Sequence, residues 1–315
     1  MTFGKKFAMT SMAVSLALFL GACGNSTDET KEEKEEITTE AAEQTENETT
    51  EQTTEQTETA KKLLAGGEMK DGTYTLVEKD YAHGYKVNFE MTVKGGKITE
   101  SNYNYVNEEG KLKTDDAEYQ KNMSDKTGVG PIEFVPALND QLLEKQNAGD
   151  IEVVTGATHS SDDFMNYAQQ LIQAAQKGDT TTIEIDKAAE LKDGEYSLTE
   201  KNLSTSGWKT VFKMVVKDGQ IVDPGYNNVN GEGKIKTEDE EYQKAMSEKT
   251  GVGPQDFIPA LNNALIEKQN AGDIEVVTGA THSWHGFKIY ANQLINAAQK
   301  GDTTPIEVDN FVFEK

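Results

Sequence analysis

The sequence predicts an α+β protein: two tandem copies of one small domain, each an antiparallel sheet packed with helices, following a disordered tether. Three observations predict it. First, long strings recur: Lys126-Thr-Gly-Val-Gly-Pro131 returns as Lys249-Thr-Gly-Val-Gly-Pro254, and Gln146-Asn-Ala-Gly-Asp150 as Gln269-Asn-Ala-Gly-Asp273. Second, each copy opens with alternating apolar residues, the period of a half-buried strand, and ends on helical spacing. Third, residues 24 to about 60 consist of Thr, Glu, Gln and Asn with almost no large apolar side chain. Such a segment cannot bury enough surface to offset its ordering entropy, which makes it a tether.

The 315-residue chain has Asp+Glu 55 against Lys+Arg 31, a formal net charge of -24. Phosphate neutralisation needs clustered Lys and Arg, so nucleic acid is not an expected partner. At the N-terminus Lys5 and Lys6 precede an uncharged run from Phe7 to Leu20 and then Leu20-Gly21-Ala22-Cys23. Charged, apolar and small residues in that order make residues 1–22 a secretory signal. The final four residues resemble the bacterial lipobox, in which the cysteine is diacylated and becomes the first mature residue. Cys23 is the chain's single cysteine, so it forms no internal disulfide, and two acyl chains give stable anchoring. Residues 23–61 are then the acidic tether and the expected address is the outer face of a membrane.

The two domains are expected at 62–186 and 187–315. Their spacing is 122 at Asp71 and Asp193 but 123 at Thr158 and Thr281, which puts one extra residue in a loop around Asn202 to Ser206. Asp71 to Val77 and Asp193 to Leu198 alternate after a turn signal and are strands. Val87, Phe89, Met91 and Val93 share one face of the next strand, matched by Trp208 to Val216. Gly95-Gly96 and Asp218-Gly219 turn each hairpin into a third strand beginning at Lys97 and Gln220. Asp116 to Lys126 is a helix with Tyr119 and Met123 four apart, as are Tyr242 and Met246. After a Gly-rich loop, Phe134, Leu138 and Leu142 (Phe257, Leu261 and Leu265) define a second helix, with Pro136 and Pro259 expected in its first turn. Ile151 to Val154 is expected as a short strand. Phe164, Ala168, Leu171, Ile172 and Ala175 then form a core stripe at helical spacing, as do Phe287, Ala291, Leu294, Ile295 and Ala298. A last strand at Thr181 to Ile185, or Pro305 to Val308, closes each unit.

The candidate site is the turn Glu152-Val-Val-Thr155-Gly156-Ala157-Thr158-His159-Ser160, repeated as Glu275-Val-Val-Thr278-Gly279-Ala280-Thr281-His282-Ser283. It delivers the chain into the start of a helix, where unpaired N–H groups and the positive dipole end favour an anion, phosphate above all. Gly156 and Gly279 permit unusual backbone angles, and Ala157 and Ala280 are small enough to leave room for a bulky group. Two readings stand for the threonines: they hold a phosphate ligand, or Thr155 and Thr158 cap a helix that begins near Ser160. Thr127-Gly-Val-Gly130 is a loop between helices and a possible second wall of the site. Tyr103, Tyr105 and Tyr226 are packing residues or stack on a ring ligand. His282 and His285 form a solvent-facing pair, because Asp162 stands where a second histidine would be in the first copy. No nucleophile elbow, Walker loop or dinucleotide fingerprint occurs.

The string Glu152-Val-Val-Thr155-Gly156-Ala157-Thr158 resembles the flavinylation motif of FMN-binding domains, Asp-x-x-Ser/Thr-Gly-Ala-Thr, with Glu152 and Glu275 where that family has Asp. In that family a flavin transferase uses FAD to join FMN through its phosphate to the hydroxyl of the last threonine. The resemblance implies covalent FMN on Thr158 and Thr281, two per chain, with Thr155, Gly156, Ala157, Thr278, Gly279 and Ala280 around it. With the lipobox and tether, the whole is similar to surface flavin lipoproteins of Gram-positive bacteria. That implies an extracellular electron carrier between a membrane reductase and outside acceptors such as ferric iron or free flavin. The alternative from another class is a non-redox ligand-binding or adhesive lipoprotein, its signal fragment serving also as a peptide signal. A further expectation is that Ser161-Asp162-Asp163 against Trp284-His285-Gly286 gives the two flavins unequal potentials.

Overall fold

The computed structural model describes residues 66–310. The signal sequence, Cys23 and the tether lie outside the described residues. Alternation decides the first three strands of each repeat. In β1 (Gly72–Glu78), β2 (Lys86–Lys94) and β3 (Lys97–Val106), every second side chain turns inward. Tyr74, Leu76, Val87, Phe89, Met91, Tyr103 and Tyr105 thereby come to one buried face. β1 pairs antiparallel with β2 and β2 with β3, with a bulge at Thr92/Val93. The closing strand β4 (Ile183–Ile185) joins the far edge of β1 in parallel, giving the order β3-β2-β1-β4 and a sheet that is mixed at that edge.

The helical half follows as expected in outline. α1 (Ala117–Thr127) is capped by Asp116, whose carboxylate accepts the Glu118 and Tyr119 N–H groups, and ends on Gly128 in the left-handed region. α2 (Pro131–Lys145) buries Phe134, Val135, Leu138 and Leu142 against β3. One expectation fails here: Pro131, not Pro136, takes the first helical position, and Pro136 lies inside the helix. Its missing N–H leaves the carbonyl of Ile132 without its helical donor. Ile132 and Pro136 are both on the exposed side, where water can take the bond. Pro259 repeats the arrangement.

The predicted strand at Ile151–Val154 also fails. The segment is extended but joins no sheet. Its backbone bonds go to side chains instead: Gln141 of α2 takes the Glu152 N–H on Oε1 (2.7 Å) and donates to the Glu152 carbonyl (3.3 Å). α3 (Thr158–Lys177) then packs its predicted apolar stripe across the sheet, Phe164 stacking on Phe89 with ring centroids 5.1 Å apart and meeting Tyr103 edge-on. Buried Glu78 on β1 fastens helix to sheet by accepting the Tyr167 hydroxyl (2.6 Å) and the Val87 N–H (2.9 Å).

The second repeat has the same plan. It comprises β5 (Gly194–Glu200), β6 (Trp208–Lys217), β7 (Gln220–Asn230), α4 (Glu240–Thr250), α5 (Pro254–Lys268), α6 (Thr281–Lys300) and β8 (Ile306–Val308), with sheet order β7-β6-β5-β8. Glu200 and Tyr290 reproduce the Glu78–Tyr167 bond. The fold is therefore α+β, with two four-stranded sheets and six α-helices among the described residues.

α3 and α6 pack against each other. Asp162 meets Lys288 near the helix starts; further along, Gln170 donates to Asn296 (3.1 Å) and Gln173 to Gln293 (3.1 Å). From the Asp162–Lys288 contact to the Gln170–Asn296 and Gln173–Gln293 bonds both helices are followed toward their C-termini, so they run in the same direction. The two repeated turns, which feed Thr158 and Thr281 into these helices, therefore lie at the same end of the pair.

Candidate functional site

The turn that ends in Thr158 is shaped by glycine. Gly156 has φ +85°, and a Cβ there would lie 2.4 Å from the Thr127 carbonyl oxygen and 2.9 Å from Val129 Cγ1. Gly279 has φ +86° and meets the Thr250 oxygen at 2.4 Å. Only glycine satisfies both the left-handed angle and this approach. The two strings most conspicuous in the sequence, Thr-Gly-Val-Gly and Thr-Gly-Ala-Thr, are thus in contact, and the first backs the second. Thr127 stiffens that backing by donating its hydroxyl to the carbonyls of Val129 (2.9 Å) and Met123 (3.1 Å).

The helix begins at Thr158, two residues before the expected start, and this overturns the capping reading. The N-cap positions are Ala157 and Ala280, which have no side-chain oxygen, and no side chain caps either helix. Thr158 and Thr281 are the first helical residues instead, both exposed. Around them the Ala157 N–H goes to the Val154 carbonyl and the Ser161 N–H to the Ala157 carbonyl. The N–H groups of Thr158, His159 and Ser160 have no backbone or side-chain acceptor among the described residues. A 20-residue helix thus presents three open donors beside an accessible hydroxyl. Phosphate carried on that hydroxyl fits this set by charge and by hydrogen bonding.

Ala157 and Ala280 are buried in the core rather than facing open space, so the room at the turn comes from exposure of its rim. Thr155 and Thr278 lie on that rim, exposed. Ser161 locks the first turn: its hydroxyl accepts the Val154 N–H (3.0 Å) and donates to the Ala157 carbonyl (3.0 Å). In the second repeat Trp284 stands there, and its indole N–H reaches the Ile274 carbonyl (3.0 Å). Glu152 and Glu275 are exposed at the entrance to each turn. Gln141, which holds the Glu152 backbone, is a site residue that the repeat comparison does not show, because Ala264 replaces it in the second copy.

Two openings flank the first turn. One is a cleft of about 1000 Å³ between the repeats, lined by Tyr105, Lys113, Tyr119, His159, Ser160 and Asp162 among others. Lys113 is buried against aromatic faces, its ammonium 4.2 Å from the ring centroids of both Tyr105 and Tyr119. Burial lowers its pKa to about 8, partly offset by Glu78. Lys236 is lowered alike against Trp208 and Tyr242. On the same wall Asp163 is raised by burial and bonded to Lys187 (2.7 Å). Burial works to lower Lys187, yet the charges of Asp163 and Glu78 hold it above its usual range. The other opening is a groove of about 490 Å³ that includes Thr158 itself together with Ile274, Val276, Trp284 and Lys288 of the second repeat.

Tyr103 and Tyr226 are packing residues, buried edge-on against Phe164 and Phe287; Tyr105 alone of the three strand tyrosines reaches the cleft wall. His282 is exposed, but His285 is half-buried, edge-on to Trp284, and burial lowers its pKa. The solvent-facing pair is therefore half right.

Residues 83–173 match the family of FMN-binding domains. The chain is 39% identical over 114 residues to a 15 kDa lipoprotein of Treponema pallidum (strain Nichols), a match that spans 36% of this chain and 81% of the relative. Among solved structures, a crystal structure of a Clostridium perfringens protein is 39% identical, covering 38% of this chain and 97% of that one with a TM-score of 0.36. A solution structure of a Clostridium thermocellum protein is 26% identical, covering 34% and 92%, with a TM-score of 0.24.

Proposed function

The chain belongs to the FMN-binding domain family, and from that premise we propose that it is a lipid-anchored extracellular electron carrier holding FMN covalently on Thr158 and Thr281. What carries the reading is the duplicated turn: an exposed threonine hydroxyl at the first residue of a long helix, beside three open N–H donors. Attachment by a flavin transferase is a phosphoryl transfer from FAD. The bond from Thr158 Oγ to the flavin-bearing phosphorus forms, the pyrophosphate P–O bond breaks, AMP leaves, and the hydroxyl proton passes to a base. Thr158 supplies the nucleophile, its exposure admits the transferase, and the helix N-terminus holds the phosphodiester charge.

Bound FMN accepts one or two electrons, and the protein's part is to position it and set its surroundings. A covalent link suits a carrier outside the cell, where a dissociated flavin is lost by dilution. The relative's description as a lipoprotein supports lipid anchoring, with Cys23 as the lipidation site; the outer face as the address is part of the proposal. No helix among the described residues is long and apolar enough to cross a membrane; in this reading the lipid on Cys23 is the anchor. A membrane reductase is the electron donor in this reading, and ferric iron or free flavin the acceptor. Nucleic acid has no part in it, given the net charge of -24.

Co-expression with a flavin transferase, followed by denaturing electrophoresis and intact mass measurement, tests the attachment. Two FMN adducts are expected in the native sequence, one in Thr158→Ala or Thr281→Ala, and none in the double variant. A dark band in the native sequence, or fluorescence that persists in the double variant, overturns the reading.

A further inference from the structure

The parallel packing of α3 and α6 does more than join the repeats. It brings the turn of one repeat against the segment that leads into the helix of the other. The groove beside Thr158 and His159 is closed on its far side by Gly272, Ile274, Val276, Trp284 and Lys288, with exposed Asp273 and Glu275 along the same edge, all from the second repeat. Its chemistry is divided. Val276 is 49% exposed, and Trp284, largely buried at 8%, lines the groove beside it, so one wall is apolar. Against Trp284 lies the Lys288 ammonium, buried, 4.6 Å from the ring centroid and 3.3 Å from the Gly272 carbonyl. Asp162 of α3 holds it across the interface with one carboxylate oxygen, while the other oxygen is buried and without a partner among the described residues.

An apolar wall that includes an aromatic side chain, backed by a buried ion pair and bordered by polar groups, fits a flat heteroaromatic ring that has an apolar end and a hydrogen-bonding end. The repeat symmetry makes the comparison internal. On the opposite side, near Thr281, the positions equivalent to Trp284 and Lys288 are Ser161 and Met165, both buried. Resting on the covalent attachment proposed above, we propose that the flavin ring carried by Thr158 docks in this groove between the repeats. Trp284 is its aromatic wall, held in place by the buried Asp162–Lys288 pair behind it, whereas the ring carried by Thr281 has no such wall. The second repeat thus completes the site of the first, and the two flavins occupy different surroundings.

Tryptophan in contact with a flavin quenches its emission, which gives a readout independent of electron-transfer activity. The Thr281→Ala protein, loaded by co-expressed transferase, has its single flavin at Thr158. Its flavin emission is expected to be several-fold lower folded than in urea, and Trp284→Phe in that background is expected to restore most of the difference. Trp208→Phe, which does not line the groove, should change nothing. Because Trp284→Phe also removes the bond to Ile274, Val276→Glu provides a second probe at an exposed position. It is expected to alter the visible circular dichroism of the Thr158-linked flavin in the Thr281→Ala background. A fluorescent denatured band whose native emission ignores Trp284→Phe, or a flavin spectrum that ignores Val276→Glu, overturns the groove assignment alone. A dark denatured band overturns the attachment and the groove together.

Discussion

Replacing Gly156 with alanine isolates the close approach that shapes the candidate site. Alanine at φ +85° is strained by its backbone alone, at about 1–2 kcal/mol for the left-handed region. Gly128, at φ +82° with nothing within 4 Å of an added Cβ, would bear that term only. At Gly156 the methyl also meets a backbone oxygen at 2.4 Å, and a backbone carbonyl cannot swing aside as a long side chain can. Forcing that overlap adds about 1–3 kcal/mol. The Gly156→Ala protein should therefore be about 2–5 kcal/mol less stable than the parent, and Gly128→Ala about 1–2 kcal/mol. Each kcal/mol corresponds to about 2–4 °C in melting temperature for a body of this size. Thermal and urea denaturation followed by near-ultraviolet circular dichroism would measure both variants. Equal losses in the two would refute the claim that the Thr127–Val129 backing shapes the turn. In the same proteins, flavin attachment should fall at Thr158 in Gly156→Ala and stay intact at Thr281.

Two further outcomes follow from buried charge. Removing Lys288 strands the Asp162 carboxylate, already raised in pKa by burial, so Lys288→Ala should cost about 3–5 kcal/mol in urea titrations. Asp162→Asn combined with Lys288→Met should cost clearly less; equal losses would mean that the pair is not what joins the helices. Lys113 has its folded pKa lowered from 10.5 to about 8. Its depressed value means that the unfolded chain binds more protons between those limits, so the burial penalty on the charged lysine is full below about 8 and is relieved, with a rise in stability, as pH climbs from about 8 to 10.5. The penalty amounts to about 3 kcal/mol at most. Lys113→Met should remove that rise, read as the difference between variant and parent stability at pH 7 and pH 10. A difference independent of pH would refute the burial argument.

Much of this was legible in the sequence because it depends on local periodicity. Val87, Phe89, Met91 and Val93 can only be a strand with one buried face, and the stripe from Phe164 to Ala175 can only cover a core. The repeat revealed itself by identity alone, and the turn at Gly156 by its residue types. Where sequence reasoning failed, a nonlocal partner had replaced a local one. The β-branched run Ile151–Val154 has the composition of a strand, yet Gln141 and Ser161 satisfy backbone groups that a sheet neighbour would otherwise take. Pro136 belongs to a helix interior because Pro131 had already started the helix and water can serve the carbonyl left free. The threonines failed as caps because capping depends on a single residue of register, which periodicity does not resolve.

The sequence by itself determined the duplication and most of the elements, since these follow from identity and from steric and solvation preferences acting within a few residues; the threonines proposed for attachment rest on a resemblance. Tertiary structure alone decided that Asn166, Gln170, Gln173, Gln293 and Asn296, polar residues that a helix pattern assigns to solvent, bond to one another across α3 and α6. Which side chains meet there depends on the relative position of segments more than a hundred residues apart. That packing sets Thr158 beside Trp284, an adjacency that neither repeat contains alone.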